Sequence, residues 1–190
     1  MGENTKLFFS TSPKTKERSP DLFARIYAVL YELPLVLTET YLENTSLKTI
    51  AEWNSAEKDT FYKTTLAAIT ASDMCIFEAT QPSLTLAHFI RFSLDQDKPT
   101  AILHEERAQP FLLENAGEVE PMLFAYGKFD LERTLRLAIQ EAQELPTAIR
   151  FNCLISADLN RYISQTAKTK HLSKSEFFRK LVREHRQKSA

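Results

Sequence analysis

The sequence predicts an α/β domain built on a doubly wound parallel sheet, followed by a small C-terminal module. Short apolar runs alternate with helical patterns along residues 1–146, which is typical of a parallel sheet with helices on both faces. Charge marks the second part, because residues 147–190 carry 10 − 3 = +7 whereas the remainder carries 14 − 22 = −8. We therefore expect two domains, residues 1–146 and residues 147–190, that meet at the short Pro146-Thr147 boundary.

The first domain is predicted to have a Rossmann-like order of strands and helices. Strands are expected at residues 7–10, 35–37, 74–77, 100–103 and 122–126. Helices are expected at residues 20–32, 60–72, 84–95 and 130–145, where apolar residues recur every three or four positions. Pro146 ends the last of these helices. Residues 12–19 are expected to form a charged loop, and residues 38–59 a polar, aromatic stretch.

The C-terminal domain is predicted to consist of one strand and two helices. Residues 149–155 alternate in a strand pattern that puts Arg150, Asn152 and Leu154 on one face. An isolated strand leaves its edges unpaired, so we expect it to pair with a second copy of the chain. Ser156 is placed to cap the first helix, and Ser173 begins the second as a capping box with Glu176. The apolar faces of the two helices comprise Leu159, Tyr162, Ile163, Ala167, Phe177, Phe178, Leu181 and Val182.

This pattern resembles the ribbon-helix-helix family, through the "SADL" helix start and the "LSKSEFFRKLVRE" second helix. In that family two strands pair across a dimer and lie in the major groove of DNA. The resemblance implies that Arg150, Asn152 and Leu154 face the bases, which suits Arg for guanine and Asn for adenine. It also implies that the start of the second helix holds a backbone phosphate, through Ser173, Lys174 and Ser175. Leu154 departs from the polar residue common there, which leaves open a ribbon that only dimerises.

Residues 62–103 resemble the nucleoside 2-deoxyribosyltransferase-like superfamily, through the segments "SDMCIFEAT", "QPSLTLAHFIRFSL" and "DKPTAIL" in that order. The resemblance implies enzymes that cleave or exchange an N-glycosidic bond, with a glutamate that attacks the sugar and an aspartate that assists. In this sequence the glutamate position is Phe89 and the aspartate position is Thr65. A phenylalanine neither attacks nor carries charge, so the resemblance predicts an α/β domain without the family's catalytic residues.

Other side chains are candidates for a substitute site. Asp73 and Glu78 flank the third predicted strand, and Glu78 with His88 nearby would make a small polar site at the end of the strand where open sheets bind ligands. The isolated glycines exclude a phosphate-cradling glycine loop, and the sequence shows no convincing metal-ligand spacing. Four aromatic residues line a pocket for a base or pack in the core: Tyr41, Trp53, Phe61 and Tyr62.

Three functions remain open at this point. The first is a homodimeric DNA-binding regulator or accessory factor whose inactive α/β domain senses a nucleotide-like ligand or oligomerises. The second is an N-glycosidase or deoxyribosyltransferase that acts on nucleosides or nucleotides and is recruited to DNA. The third is a non-enzymatic interaction module in which the ribbon only dimerises and the α/β domain holds a protein partner. No cofactor, metal or membrane partner is expected, and Cys75 and Cys153 in apolar runs suit reduced cysteines of a cytoplasmic protein.

Overall fold

A computed structural model describes residues 5–108, 121–144, 155–170, 172 and 174–189. The chain divides into two compact units, Met1–Thr147 and Ala148–Ala190, close to the division expected from charge. The predicted strand at residues 149–155 lies outside the described residues except for Ile155, and Cys153 lies outside them too.

The first unit contains a five-stranded parallel sheet, which confirms the predicted α/β fold with a Rossmann-like sheet. The strand order is β2-β1-β3-β4-β5, one of the common orders of doubly wound sheets. Every residue of the central strand β3 is buried, as expected for a parallel strand covered on both faces. The strands are β1 (Thr5–Thr11), β2 (Leu35–Leu37), β3 (Met74–Glu78), β4 (Thr100–Glu105) and β5 (Met122–Tyr126).

Helices cover both faces of this sheet and divide the interior into two apolar cores. Alternate strand residues such as Phe9 and Ile76 pack with helices α2 and α7, whereas Phe8 and Phe77 pack on the opposite face with α5 and α6. The helices of this unit are α1 (Pro13–Arg18), α2 (Pro20–Glu32), α3 (Tyr41–Asn44), α4 (Leu47–Glu52), α5 (Ser55–Ala71), α6 (Leu84–Asp95) and α7 (Leu131–Glu144).

The order of the strands creates a switch point between β1 and β3. The connection after β1 leads to β2 on one side of β1, and the connection after β2 leads to β3 on the other side. Ligands of open α/β sheets bind in the crevice at such a point, beyond the carboxyl ends of the strands. Thr11 and Glu78 are direct partners in the register at these ends. The topology therefore directs attention to the loops that follow β1 and β3.

Short helices appear where the sequence predicted loops. Helix α1 occupies the expected charged loop, because the Ser12 side chain accepts a hydrogen bond from the Lys14 N–H and a proline begins the helix. Helices α3 and α4 lie in the polar, aromatic stretch. Helix α5 begins five residues earlier than predicted, because Asn54 and Glu57 form a capping box. These elements depend on caps rather than on apolar periodicity, so periodicity alone does not predict them.

The described residues of the second unit form two helices, α8 (Ala157–Thr169) and α9 (Lys174–Ser189). Ser156 caps α8 as predicted, with its side chain accepting a hydrogen bond from the Leu159 N–H. Among the described residues of this unit, the buried core consists of Ile163, Ala167 and Phe177, with Leu172 packed against it. None of the described helices is both long and apolar enough to cross a lipid bilayer.

Candidate functional site

A cavity of about 420 Å³ lies at the switch point of the sheet. The end of β1 and the residue after it supply Ser10, Thr11 and Ser12, and the start of α6 supplies Ser83 and Thr85. Its volume falls within the range of about 300–1,000 Å³ that small-molecule pockets occupy. The location and size are those of a ligand site in a doubly wound sheet.

Aromatic rings form much of the wall of this cavity. Phe61 lies at the centre, with its ring centroid 4.7 Å from that of Tyr41, 5.1 Å from that of Trp53 and 6.2 Å from that of Phe89. Tyr62 also lines the cavity. Burial raises the pKa of Tyr41 to about 12, so its hydroxyl stays neutral at physiological pH and lies 3.2 Å from the Ser10 hydroxyl. Rings at these separations offer flat apolar surfaces for stacking.

The charge of the cavity is one-sided. None of the described residues that line it carries a carboxylate. Two lysines, Lys14 and Lys58, do line it, and both are exposed to solvent. A neighbouring open groove shares part of the aromatic wall, and Glu39 and Glu57 line that groove. Both accept hydrogen bonds from backbone N–H groups close to them in sequence. The cavity is therefore suited to neutral or anionic ligands.

Neither position at which the resemblance implies a catalytic acid carries one. Phe89 is 1% exposed, packs in the core on the α5–α6 side of the sheet, and lines the cavity. Thr65 is also 1% exposed, and its hydroxyl donates a hydrogen bond of 2.8 Å to the Phe61 carbonyl oxygen one turn earlier in α5. The phenyl ring thus contributes apolar surface to the cavity, and the threonine hydroxyl is occupied by a hydrogen bond within its own helix.

Glu78 is completely buried and its carboxylate is fully engaged. One oxygen accepts a hydrogen bond of 2.8 Å from the Thr11 hydroxyl. The other accepts hydrogen bonds from the Tyr126 hydroxyl at 2.9 Å and from the Thr80 N–H at 3.0 Å. Burial and the adjacent carboxylate raise the pKa of Tyr126 far above its usual value, so it remains a donor. These contacts join the ends of β1, β3 and β5.

The other two candidate residues lie elsewhere. Asp73 precedes β3 and accepts a hydrogen bond of 2.7 Å from the Lys6 N–H, whereas Glu78 ends the same strand, roughly 17 Å away at about 3.3 Å per residue. His88 is exposed, and its Nε2 lies 2.9 Å from the Tyr62 hydroxyl. The structure therefore does not bring Asp73, Glu78 and His88 together, and none of them lines the cavity. The described residues also contain no cluster of side chains suited to a metal ion.

Most of the residues predicted to contact DNA lie outside the described part of the chain. This holds for Arg150, Asn152, Leu154 and Ser173, and the side chain of Ser175 is likewise not described. Lys174 is described, as the exposed first residue of α9. Its Nζ lies 3.4 Å from the Asn160 side-chain oxygen on α8, within the limit for a long hydrogen bond.

The two C-terminal helices expose much of the apolar face that the sequence predicts to be core. Tyr162 is 56% exposed and Val182 is 53% exposed. Only one residue of the predicted α9 stripe, Phe177, is buried. A group of large exposed apolar side chains on one small unit is typical of a face that another molecule covers. The further large apolar side chains exposed in this unit are Ile155, Leu159, Phe178 and Leu181.

Sequence reasoning missed the partners of Glu78 and the two lysines of the cavity. Thr11 and Tyr126 end their strands, and the Ser12-Pro13 pair after β1 is a helix-start signal that would have placed Lys14 near the switch point. No protein-family model matches the chain, and no curated protein matches it. The fold and cavity define a doubly wound α/β protein with a potential ligand site.

Proposed function

We propose that the protein binds DNA as a homodimer through residues 147–190, as a transcriptional regulator or accessory factor. The observation that carries the proposal is the exposed apolar face of α8 and α9 on a strongly basic unit. The α/β domain then acts as an inactive module that senses a nucleotide-like ligand or oligomerises.

A second copy of the chain is the occupant that best fits the apolar face. The buried core of the described part of this unit comprises Ile163, Ala167 and Phe177, which is small for a stable fold because small units bury too little apolar surface. When a second copy covers side chains such as Tyr162 and Val182, each Å² of apolar surface removed from water stabilises the assembly by about 25 cal/mol. The strand pattern of residues 149–155 also requires a partner, and a second copy supplies both at once.

Charge supports DNA as the external partner. The net charge of +7 on residues 147–190 contrasts with −8 on the rest of the chain, so a polyanion is attracted to one unit and repelled by the other. Lysine and arginine contacts to phosphates supply most sequence-independent affinity for DNA. The exposed Lys174, at the start of α9, lies where a helix N-terminus favours a phosphate.

The chemistry of the α/β domain favours binding over turnover. The N-glycosidase alternative needs a carboxylate against the sugar, and no described residue lining the cavity carries one. Phe89 stands at the glutamate position that the resemblance implies. Glu78 does not line the cavity, and its carboxylate is already occupied by three hydrogen bonds. An intact ligand, bound without reaction, suits such a site.

Gel-shift titrations of the full chain with duplex DNA test this proposal. We expect Arg150→Ala and Lys174→Ala each to weaken binding several-fold, whereas the control Lys48→Ala, an exposed lysine of α4, leaves it unchanged. No shift by the wild-type chain at low salt would overturn DNA binding and favour a module that only dimerises. Release of free base from nucleosides or nucleotides by the wild-type chain would instead support the enzyme.

A further inference from the structure

The cavity at the switch point combines stacking surfaces with two lysines that have no partner among the described residues. Its aromatic wall centres on Phe61, flanked by Tyr41 and Trp53. Lys14 and Lys58 line the same cavity, and neither ammonium group makes a hydrogen bond or ion pair with a described residue. The structure therefore places two uncompensated positive charges beside a site for a flat ring.

Most hydroxyl groups around the cavity already make hydrogen bonds within the protein. Thr11 donates to Glu78, Ser12 caps α1 and Ser83 caps α6. Thr85 is exposed at the start of α6, and its hydroxyl has no partner among the described residues. Among the described lining residues, the side-chain groups left for a ligand are thus two ammonium groups, one hydroxyl and the indole N–H of Trp53. These groups are mainly donors, which suits a ligand with negatively charged oxygen acceptors.

We infer that this cavity selects an aromatic ligand carrying a phosphate, of the nucleoside monophosphate class, over the corresponding neutral nucleoside. The ring stacks on the wall formed by Trp53 and Phe61, and the phosphate lies near Lys14 and Lys58. None of the described lining residues carries a carboxylate that would repel a phosphate directly. This inference rests on the proposed sensing role of the α/β domain and adds the charge of the ligand.

Fluorescence quenching of the full chain provides a direct test, because Trp53 is the single tryptophan of the sequence and lines the cavity. We expect adenosine monophosphate to quench Trp53 with a dissociation constant about tenfold below that of adenosine, equivalent to about 1.4 kcal/mol. Inorganic phosphate alone should not quench. Added salt should weaken the monophosphate and leave adenosine unchanged, since only the former depends on charge.

Paired variants identify the source of the preference. The double variant Lys14→Ala/Lys58→Ala should bring the two affinities together, whereas Lys48→Ala, outside the cavity, should preserve the tenfold difference. Equal affinities for the wild-type chain, tighter binding of adenosine, or no quenching by either ligand would each overturn the inference. Gel shifts of the same preparations report DNA binding independently, so failure of the ligand test and failure of the proposed DNA function remain distinguishable.

Discussion

At the scale of single residues, the buried Glu78 carboxylate joins three strands that are far apart in sequence. It accepts hydrogen bonds from Thr11 on β1 and Tyr126 on β5, and from the backbone after its own strand. A buried carboxylate is costly unless donors surround it, and here both oxygens are satisfied. The carboxylate that the sequence suggested for catalysis thus stabilises the strand ends from which the cavity loops begin.

Removal of this carboxylate should destabilise the α/β domain. Glu78→Ala leaves buried donors without an acceptor, and we expect the free energy of unfolding to fall by about 2–4 kcal/mol. Tyr126→Phe removes one donor and should cost about 1–2 kcal/mol. Urea denaturation measures both, with Glu52→Ala on the exposed face of α4 as the control. Losses below about 0.5 kcal/mol, the range of ordinary surface substitutions, would contradict a supporting role.

The sequence predicts some features of the cavity and not others. That Phe89 and Thr65 lack charge follows from their identities alone. The partners of Glu78 depend on which residues end β1 and β5, and hence on strand register. Register between strands separated by dozens of residues is set by packing of the whole sheet, which local patterns do not encode.

At the scale of secondary structure, an ion pair connects α2 and α7 on one face of the sheet. Arg25 donates from Nε at 2.5 Å and from a terminal nitrogen at 2.8 Å to the two oxygens of Glu132. The hydrogen bonds from this guanidinium hold the pKa of Glu132 at about 2, below its ordinary value of 4.5. Because the folded-state pKa is lowered, the stabilisation is present above about pH 4.5 and disappears as the pH falls toward 2.

Arg25→Ala should therefore reduce stability only where Glu132 is ionised. Both side chains are about two-fifths exposed, so we expect a loss of no more than about 1 kcal/mol at neutral pH. The difference from the wild-type chain should shrink progressively between about pH 4.5 and pH 2 in urea titrations. Arg133→Ala, at an exposed position of α7, is the matched control. A difference that stays constant down to pH 2 would contradict the assigned pair.

The short helices are the elements that apolar periodicity does not predict. The long elements α2, α6 and α7 coincide closely with their predicted ranges, because their apolar faces recur at helical spacing. Helix α1 has six residues and is held by the Ser12 cap and the Pro13 start. An apolar pattern needs more turns than such a helix has, so only its cap signals it.

The exposed face of α9 gives a prediction about assembly. Val182→Glu introduces a charge at a position that is 53% exposed in a single chain, so the helix itself should tolerate it. In the proposed dimer the same carboxylate is buried without a partner, and the chain should sediment as a monomer. Circular dichroism should show unchanged helix content. Gln165→Glu, at an exposed polar position of α8, should keep the dimer.

Sedimentation velocity measures the mass of both variants and of the wild-type chain. A wild-type chain that is monomeric at micromolar concentration would contradict the dimer. A Val182→Glu chain that keeps the wild-type mass would move the contact away from this face of α9.

At the scale of the whole molecule, the chain joins two units of opposite charge. The acidic unit carries a cavity with local positive charge, and the basic unit carries an unpartnered apolar face. The division into two units was predictable from composition, since the net charge changes sign near residue 147. The occupants of the cavity and of the apolar face depend on side-chain arrangement and require binding experiments.

The salt dependence of DNA binding by the full-length protein tests the central claim most directly. Fluorescence anisotropy of a labelled duplex would give the association constant over a series of salt concentrations. A basic dimer that neutralises several phosphates should give a logarithmic slope of about −0.9 for each contact, and Lys174→Ala should make the slope shallower by about one to two units, because both copies lose one contact. Binding that is absent at low salt, or independent of salt, would contradict the proposed function.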